Sequence, residues 1–211
     1  MKKILLALLI SAPLAYGLDT LIEPKAKITK NIFFVLDKSC SMSGDALTQG
    51  IRAVEDIALQ STDELNIAVV AFSTNKVRWP GVPHTEPDGG PPYGWAAMPS
   101  QDAGKNLMDW MNGIGPDGGT NFTPAFHEAM TATPPRKGGL TVVIISDGAF
   151  DDPTNLKAKT EELQKSRIDR GMEQAVLVGY KIGDDNNHTF DDIVKVGPCG
   201  GLFHEGIRRA E

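Results

Sequence analysis

Residues 32–36 read Ile-Phe-Phe-Val-Leu, five apolar side chains in a row. Successive side chains of a strand point to opposite faces, so a strand with one wet face alternates and an unbroken apolar run needs cover on both faces. Residues 65–72 (LNIAVVAF), 140–146 (LTVVIIS) and 175–180 (AVLVGY), mainly apolar, are expected as further strands, the second of them buried and parallel. Helix patterns lie between them. Leu47, Ile51, Val54 and Ala58 recur at i, i+4, i+7 and i+11, one helical stripe, with Asp45 placed to cap it and an expected end near Ser61. Further helices are expected over about 103–112, from Pro124 through Phe126 and Met130, over 155–170 ending at Gly171, and over 190–196. A short edge strand over 76–79, stopped by Pro80, follows the tight Ser73-Thr74-Asn75 link and suits an antiparallel hairpin; a last strand is expected over 201–205. Strands that alternate with helices imply an α/β fold: a three-layer, doubly wound, mainly parallel sheet with helices on both faces.

Ligands of such sheets bind outside the carboxyl ends of the strands. The first strand ends in Asp37-Lys38-Ser39-Cys40-Ser41, and in an extended segment Asp37, Ser39 and Ser41 point the same way. The strand over 140–146 ends in Asp147-Gly148, and Gly118-Gly119-Thr120 offers a hydroxyl on a tight turn between them. Two carboxylates and three hydroxyls are hard oxygen donors, suited to Mg²⁺, Mn²⁺ or Ca²⁺ rather than to zinc or copper. Plainer readings exist for each residue. Asp37 and Asp147 could cap helices, Ser39 and Ser41 could be turn residues, and Thr123 rivals Thr120 but reads better as an N-cap before Pro124. Asp151-Asp152 and Asp184-Asp185 read as solvated loop acids, and no histidine reads as a ligand.

FVLDKSCSMSG, GGTNFTPAF and VVIISDG together resemble the three segments of a von Willebrand factor type A domain carrying a metal-ion-dependent adhesion site. That family's Asp-x-Ser-x-Ser, Thr and Asp ligands fall on Asp37, Ser39, Ser41, Thr120 and Asp147. The resemblance implies a six-stranded sheet with one antiparallel edge strand. It also implies a divalent cation, Mg²⁺ or else Mn²⁺ or Ca²⁺, whose open position takes an Asp or Glu of a partner protein. Adhesion-type protein binding without catalysis is the function so implied. The alternative is a structural or assembly subunit of a cell-envelope complex. A phosphotransferase-type hydrolase using Asp37 as nucleophile would need a second carboxylate two residues on, where Ser39 stands. A Cys elbow at 197–201 would need partners downstream, and a phosphatase loop at Cys40 would need an Arg where Ala46 stands.

The chain has 211 residues and a formal charge of −6, which argues against binding a phosphate backbone. Met1-Lys2-Lys3, the apolar residues 4–10 and Ala15-Tyr16-Gly17 read as a secretory signal peptide over 1–17. Residues 18–30 then form a linker and 31–211 the domain, exported to a periplasmic or extracellular space and without a transmembrane span once the signal is removed. Residues 81–100 are rich in Pro and Gly and read as a long surface loop. Trp79, Tyr93 and Trp95 could form an exposed partner-binding surface there, or pack that loop on the body. Cys40 and Cys199 are expected at opposite edges of the sheet, roughly 15 Å apart, too far for the about 7 Å that a disulfide tolerates between Cα atoms.

Overall fold

The structure is a computed structural model describing residues 29–59, 64–81, 94–151, 154–183, 193–198 and 201–205. The proposed signal peptide, Tyr93, Asp152, Asp184, Asp185, His84, His188 and Cys199 lie outside these residues, as does part of the helix expected over 190–196.

The strands are β1 Asn31–Asp37, β2 Leu65–Phe72, β3 Lys76–Arg78, β4 Ala96–Met98, β5 Leu140–Ser146, β6 Val176–Ile182 and β7 Gly201–Glu205. The helices are α1 Asp45–Leu59, α2 Gln101–Asn112, α3 Thr123–Thr131 and α4 Leu156–Asp169. The sheet runs β3-β2-β1-β5-β6-β7, with every neighbour parallel except β3 on β2. β4 also pairs β2 antiparallel. It takes residues Leu65 to Ile67 of β2, whereas β3 takes Val70 to Phe72. Six lanes are therefore filled as expected, but two short strands share the antiparallel edge lane. No helix among the described residues is long and apolar enough to cross a membrane.

The continuous apolar runs divide by parity, as strand geometry requires. Phe34 and Leu36 of β1, Ile67 and Val69 of β2 and Val143 and Ile145 of β5 join α1 and α2 in one core. Phe33 and Val35, Val70 and Phe72, and Val142 and Ile144 join α3 and α4 in the other. Gly50 sets how closely α1 approaches. A Cβ there would stand 3.0 Å from Leu36 Cδ1 and 3.2 Å from Ile145 Cγ2, so only glycine fits the observed spacing without a shift.

Arg167 of α4 is 1 % exposed and meets no carboxylate among its hydrogen bonds. Its Nη1 donates to Met130 O (2.8 Å) and Ala132 O (3.2 Å), and its Nε to Glu173 O (3.0 Å). A cation thus caps carbonyls at the carboxyl end of α3, where the helix dipole is negative. Burial, with Arg170 adding repulsion, pushes its pKa down to about 10, so it stays charged at neutral pH. Arg167→Leu leaves those carbonyls without their donor. Urea denaturation is expected to give a loss of roughly 2–4 kcal/mol; a loss below about 0.5 kcal/mol, the size of an ordinary surface substitution, would show the cap to be dispensable.

Candidate metal centre

Asp37 is the last residue of β1 and is fully buried. It follows Phe33 and Val35 by parity, so it falls on the α3 side of the sheet; Ser146, following Val142 and Ile144 on β5, falls on the same side. The Ser146 hydroxyl donates to Asp37 Oδ2 at 2.6 Å, and the Ser39 N–H donates to Oδ1 at 2.8 Å. The chain then enters a 3₁₀ turn, Cys40–Met42, and does not stay extended as the sequence pattern suggested. That turn brings Ser39 Oγ to 2.9 Å from Ser41 Oγ and sends Met42 into the core. The hydroxyls converge as expected, but through a turn.

Two other loops close on this one. The Cys40 N–H donates to Gly118 O (3.1 Å), and the Asp117 N–H to Lys38 O (2.8 Å). Lys38 Nζ lies 2.6 Å from Asp117 Oδ1, a third link between the same segments. Gly118 holds φ +60, and a Cβ there would run into the Thr74 hydroxyl. That hydroxyl accepts the Gly119 N–H at 2.8 Å, and Ser73 O accepts the Asn121 N–H at 2.9 Å. The β2–β3 hairpin thereby shores the Thr120 segment from outside. On the other flank, Asp147 Oδ1 accepts the Ala149 N–H at 3.0 Å, and Ser146 Oγ accepts the Gly148 N–H at 2.9 Å. Thr120 is buried, Asp147 half-buried and Ser41 exposed, so the group runs from a dry floor to an open rim.

The electrostatics are unfavourable for two bare carboxylates. Burial pushes Asp37 up to about 6; the hydrogen bonds from Ser146 and Ser39 offset part of this, and the nearby Asp147 charge adds to the rise. Lys38 pairs with Asp117, whose carboxyl the lysine's hydrogen bond holds below the usual range, with Ser73 helping. A cation between Asp37 and Asp147 would relieve both the burial and the repulsion. Among the described residues no three or more His, Cys, Asp or Glu side chains cluster to hold an ion, so an ion here would rest on two carboxylates completed by hydroxyls. That donor set fits a hard divalent cation.

Three of the five expected residues are joined by hydrogen bonds, Asp37 to Ser39 and Ser39 to Ser41, while Asp147 is near enough to Asp37 for its charge to raise that carboxyl. Thr120 arrives through its backbone neighbours. Thr123 is not a cap; α3 begins at it, and the cap position falls on Phe122. Asp151 is exposed, as a solvated acid should be, but it binds Thr120. Ser146 was not foreseen, although a polar residue closing a mainly apolar strand beside Asp147 could have marked it. Nothing in the spacing marked Asp151 or Lys38.

Of the proposed aromatic contact surface, Trp79 and Trp95 follow the other reading and pack on the body, while Tyr93 lies outside the described residues. Trp79 is fully buried and its Nε1–H donates to Asn106 Oδ1 at 2.8 Å. Trp95 is 1 % exposed and stands edge-on to Phe33, centroids 5.7 Å apart. Trp79 continues the β3 pairing, its N–H donating to Val69 O at 3.0 Å, and Trp95 leads into β4: residues 96–98 return to the sheet, so the segment over 81–100 is not one surface loop. Hydrophobic area too large to leave wet, with an indole N–H that found a partner, decided the matter.

No protein-family profile matches the chain, and no curated protein matches it. Solved structures do. A von Willebrand factor type A protein from Catenulispora acidiphila superposes with a TM-score of 0.58 at 16 % identity, over 86 % of this chain and 39 % of that one. The ArnB paralog VWA2 from Sulfolobus acidocaldarius gives 0.54 at 16 % identity, over 86 % and 42 %. Proximal thread matrix protein 1 from the mussel byssus, in a structure with a zinc-occupied MIDAS motif, gives 0.53 at 15 % identity, over 83 % and 41 %. This chain spans about two fifths of the length of each. Its fold is that of a von Willebrand factor type A domain.

Trp95→Ala separates a core residue from a contact residue. Urea denaturation is expected to show a loss of about 3–5 kcal/mol from the cavity left against Phe33. A stability unchanged from wild type would return Trp95 to the surface.

Proposed function

We propose that this chain is an exported, divalent-metal-dependent binding domain whose site at the carboxyl edge of the sheet takes an acidic side chain of a partner protein. The observation that carries the reading is buried Asp37 beside Asp147, with the Ser39 and Ser41 hydroxyls at 2.9 Å from each other. Asp37 and Asp147 would hold Mg²⁺ or Mn²⁺, with Ser39, Ser41 and Thr120 as neutral donors. When bound, such an ion presents an electrophilic coordination position to a carboxylate. The chain's own part is to hold the donors, to keep the floor dry and to leave the rim open at Ser41.

Two carboxylates balance a divalent charge, and neutral hydroxyls leave the ion able to accept one more anionic oxygen. Ser39 stands where a phosphotransferase needs its second carboxylate, which supports binding over hydrolysis. The zinc of the mussel protein supports a cation at a site of this kind; the all-oxygen donor set here favours Mg²⁺ or Mn²⁺.

Titration calorimetry of Mn²⁺ into the wild-type chain is expected to show one site, lost in Asp37→Ala and in Asp147→Ala. Unchanged affinity in both variants refutes the site. In a pull-down from the native envelope, EDTA and Asp37→Ala should each release the partner. Binding that survives EDTA points to the alternative, a permanently assembled subunit with a structural metal.

Export rests on the charged, apolar and small-residue segments of 1–17. Amino-terminal sequencing of the protein from its native cell should begin near Leu18. A protein that still begins at Met1 in the cytosol would put the localisation in error.

A further inference from the structure

We propose that Asp151 is a positioning residue for metal binding, clasping Thr120 to the loop that carries Asp147; this rests on the site reading above. The clasp is reciprocal. The Thr120 N–H donates to Asp151 Oδ2 at 2.5 Å, and the Asp151 N–H donates to Thr120 O at 3.1 Å. Both backbone polar groups of a buried residue are thus held by one residue 31 positions away in sequence.

A second contact binds the same two segments from below. Phe150 is buried and stacks on Phe122, with centroids 4.4 Å apart and planes 23° apart; Phe122 in turn stacks on Phe126 of α3 at 4.9 Å. Phe150 and Asp151 are neighbours, and so nearly are Thr120 and Phe122. One segment, 147–151, therefore contributes the Asp147 carboxylate at one end and grips the Thr120 segment at the other, by ring and by carboxylate.

Gly119 completes the arrangement. A Cβ at Gly119 would stand 2.5 Å from Asp151 Oδ2, well inside contact distance. Its backbone is not in the left-handed region, so an added Cβ there would displace the Asp151 carboxylate rather than strain the backbone. The carboxylate thus lies tight against the Gly119-Thr120 peptide. Among the described residues no side-chain hydrogen bond aims the Thr120 hydroxyl, so it is aimed through its backbone, and Asp151 holds that backbone. Supporting contacts of this kind commonly change metal affinity by about 10–100-fold when removed.

The test compares Asp151→Ala, Gly119→Ala, the double variant and Asp151→Asn, with Asp37→Ala as control. Mn²⁺ affinity is measured by calorimetry and the thermal midpoint without metal by scanning calorimetry. Asp151→Ala and Gly119→Ala should each weaken Mn²⁺ binding by about tenfold or more. The double variant should be no weaker than either single one, because both break the same clasp. Asp151→Asn keeps an acceptor oxygen and should bind within about threefold of wild type, as a variant that preserves the clasp. The metal-free midpoints should stay together, since a general loss of packing would move them. Wild-type affinity in Asp151→Ala or Gly119→Ala overturns the clasp, as does full additivity in the double variant. Should Asp151→Ala not fold, Gly119→Ala against Asp151→Asn decides alone: equal affinities overturn the proposal. If Asp37→Ala binds Mn²⁺ as wild type does, it is the site reading that fails, not the clasp.

Discussion

β1 is hydrogen-bonded on both edges, to β2 in register from Asn31 to Asp37 and to β5 from Asn31 to Leu36. Every other feature of the site inherits its position from that pairing. Parallel pairing brings the carboxyl ends of β1, β2 and β5 to one edge, so the loops after them must share a small volume. Because side chains alternate, the same register also decides that Asp37 and Ser146 face one another across neighbouring strands. A slip of one residue would send Asp37 to the α1 side, away from Ser146 and the Thr120 segment.

The outline of the fold was legible because burial on both faces writes itself into sequence. Mainly apolar runs with little polar interruption mark strands covered on both faces, and β1, β2, β5 and β6 all lie where such runs stand. β4 was not legible. Its three residues follow a Pro/Gly-rich stretch, and they form a strand only because β2 has free edge groups beside Leu65 to Ile67. A strand made by its neighbour leaves no periodic trace of its own. The fate of Trp79 and Trp95 followed from the same omission: with no strand to bring the chain back, two aromatic residues read equally well as surface or as packing.

The site was legible in part for a related reason. Asp37 and Asp147 end apolar strands, so strand assignment places them with no further information. Ser39 and Ser41 came close together through a 3₁₀ turn that their spacing does not distinguish from extended chain. Asp151 and Lys38 act on partners far away in sequence, Thr120 and Asp117, and long-range pairs between ordinary polar residues carry no local signature. The chain alone therefore displays its candidate ligands and hides the residues that hold them.

What lies beneath the site bears on why those supports are needed. Phe72, Phe122, Phe126 and Phe150 form a continuous aromatic layer on the α3 side of the sheet, reaching to the loops that carry Thr120 and Asp147. An apolar floor keeps water from Asp37, and a buried carboxylate is costly unless paired. Without a cation that cost must be met by hydrogen bonds alone, and Ser146 and Ser39 supply them. With a cation the same dryness strengthens attraction to the carboxylates. The aromatic layer thus makes the carboxylate harder to bury and would make a cation there easier to hold. A cation site built this way would need its loops fixed beforehand, because a donor that drifts by a fraction of an ångström would leave the buried charge unanswered. The several cross-links among three loops are what that requirement looks like in this chain.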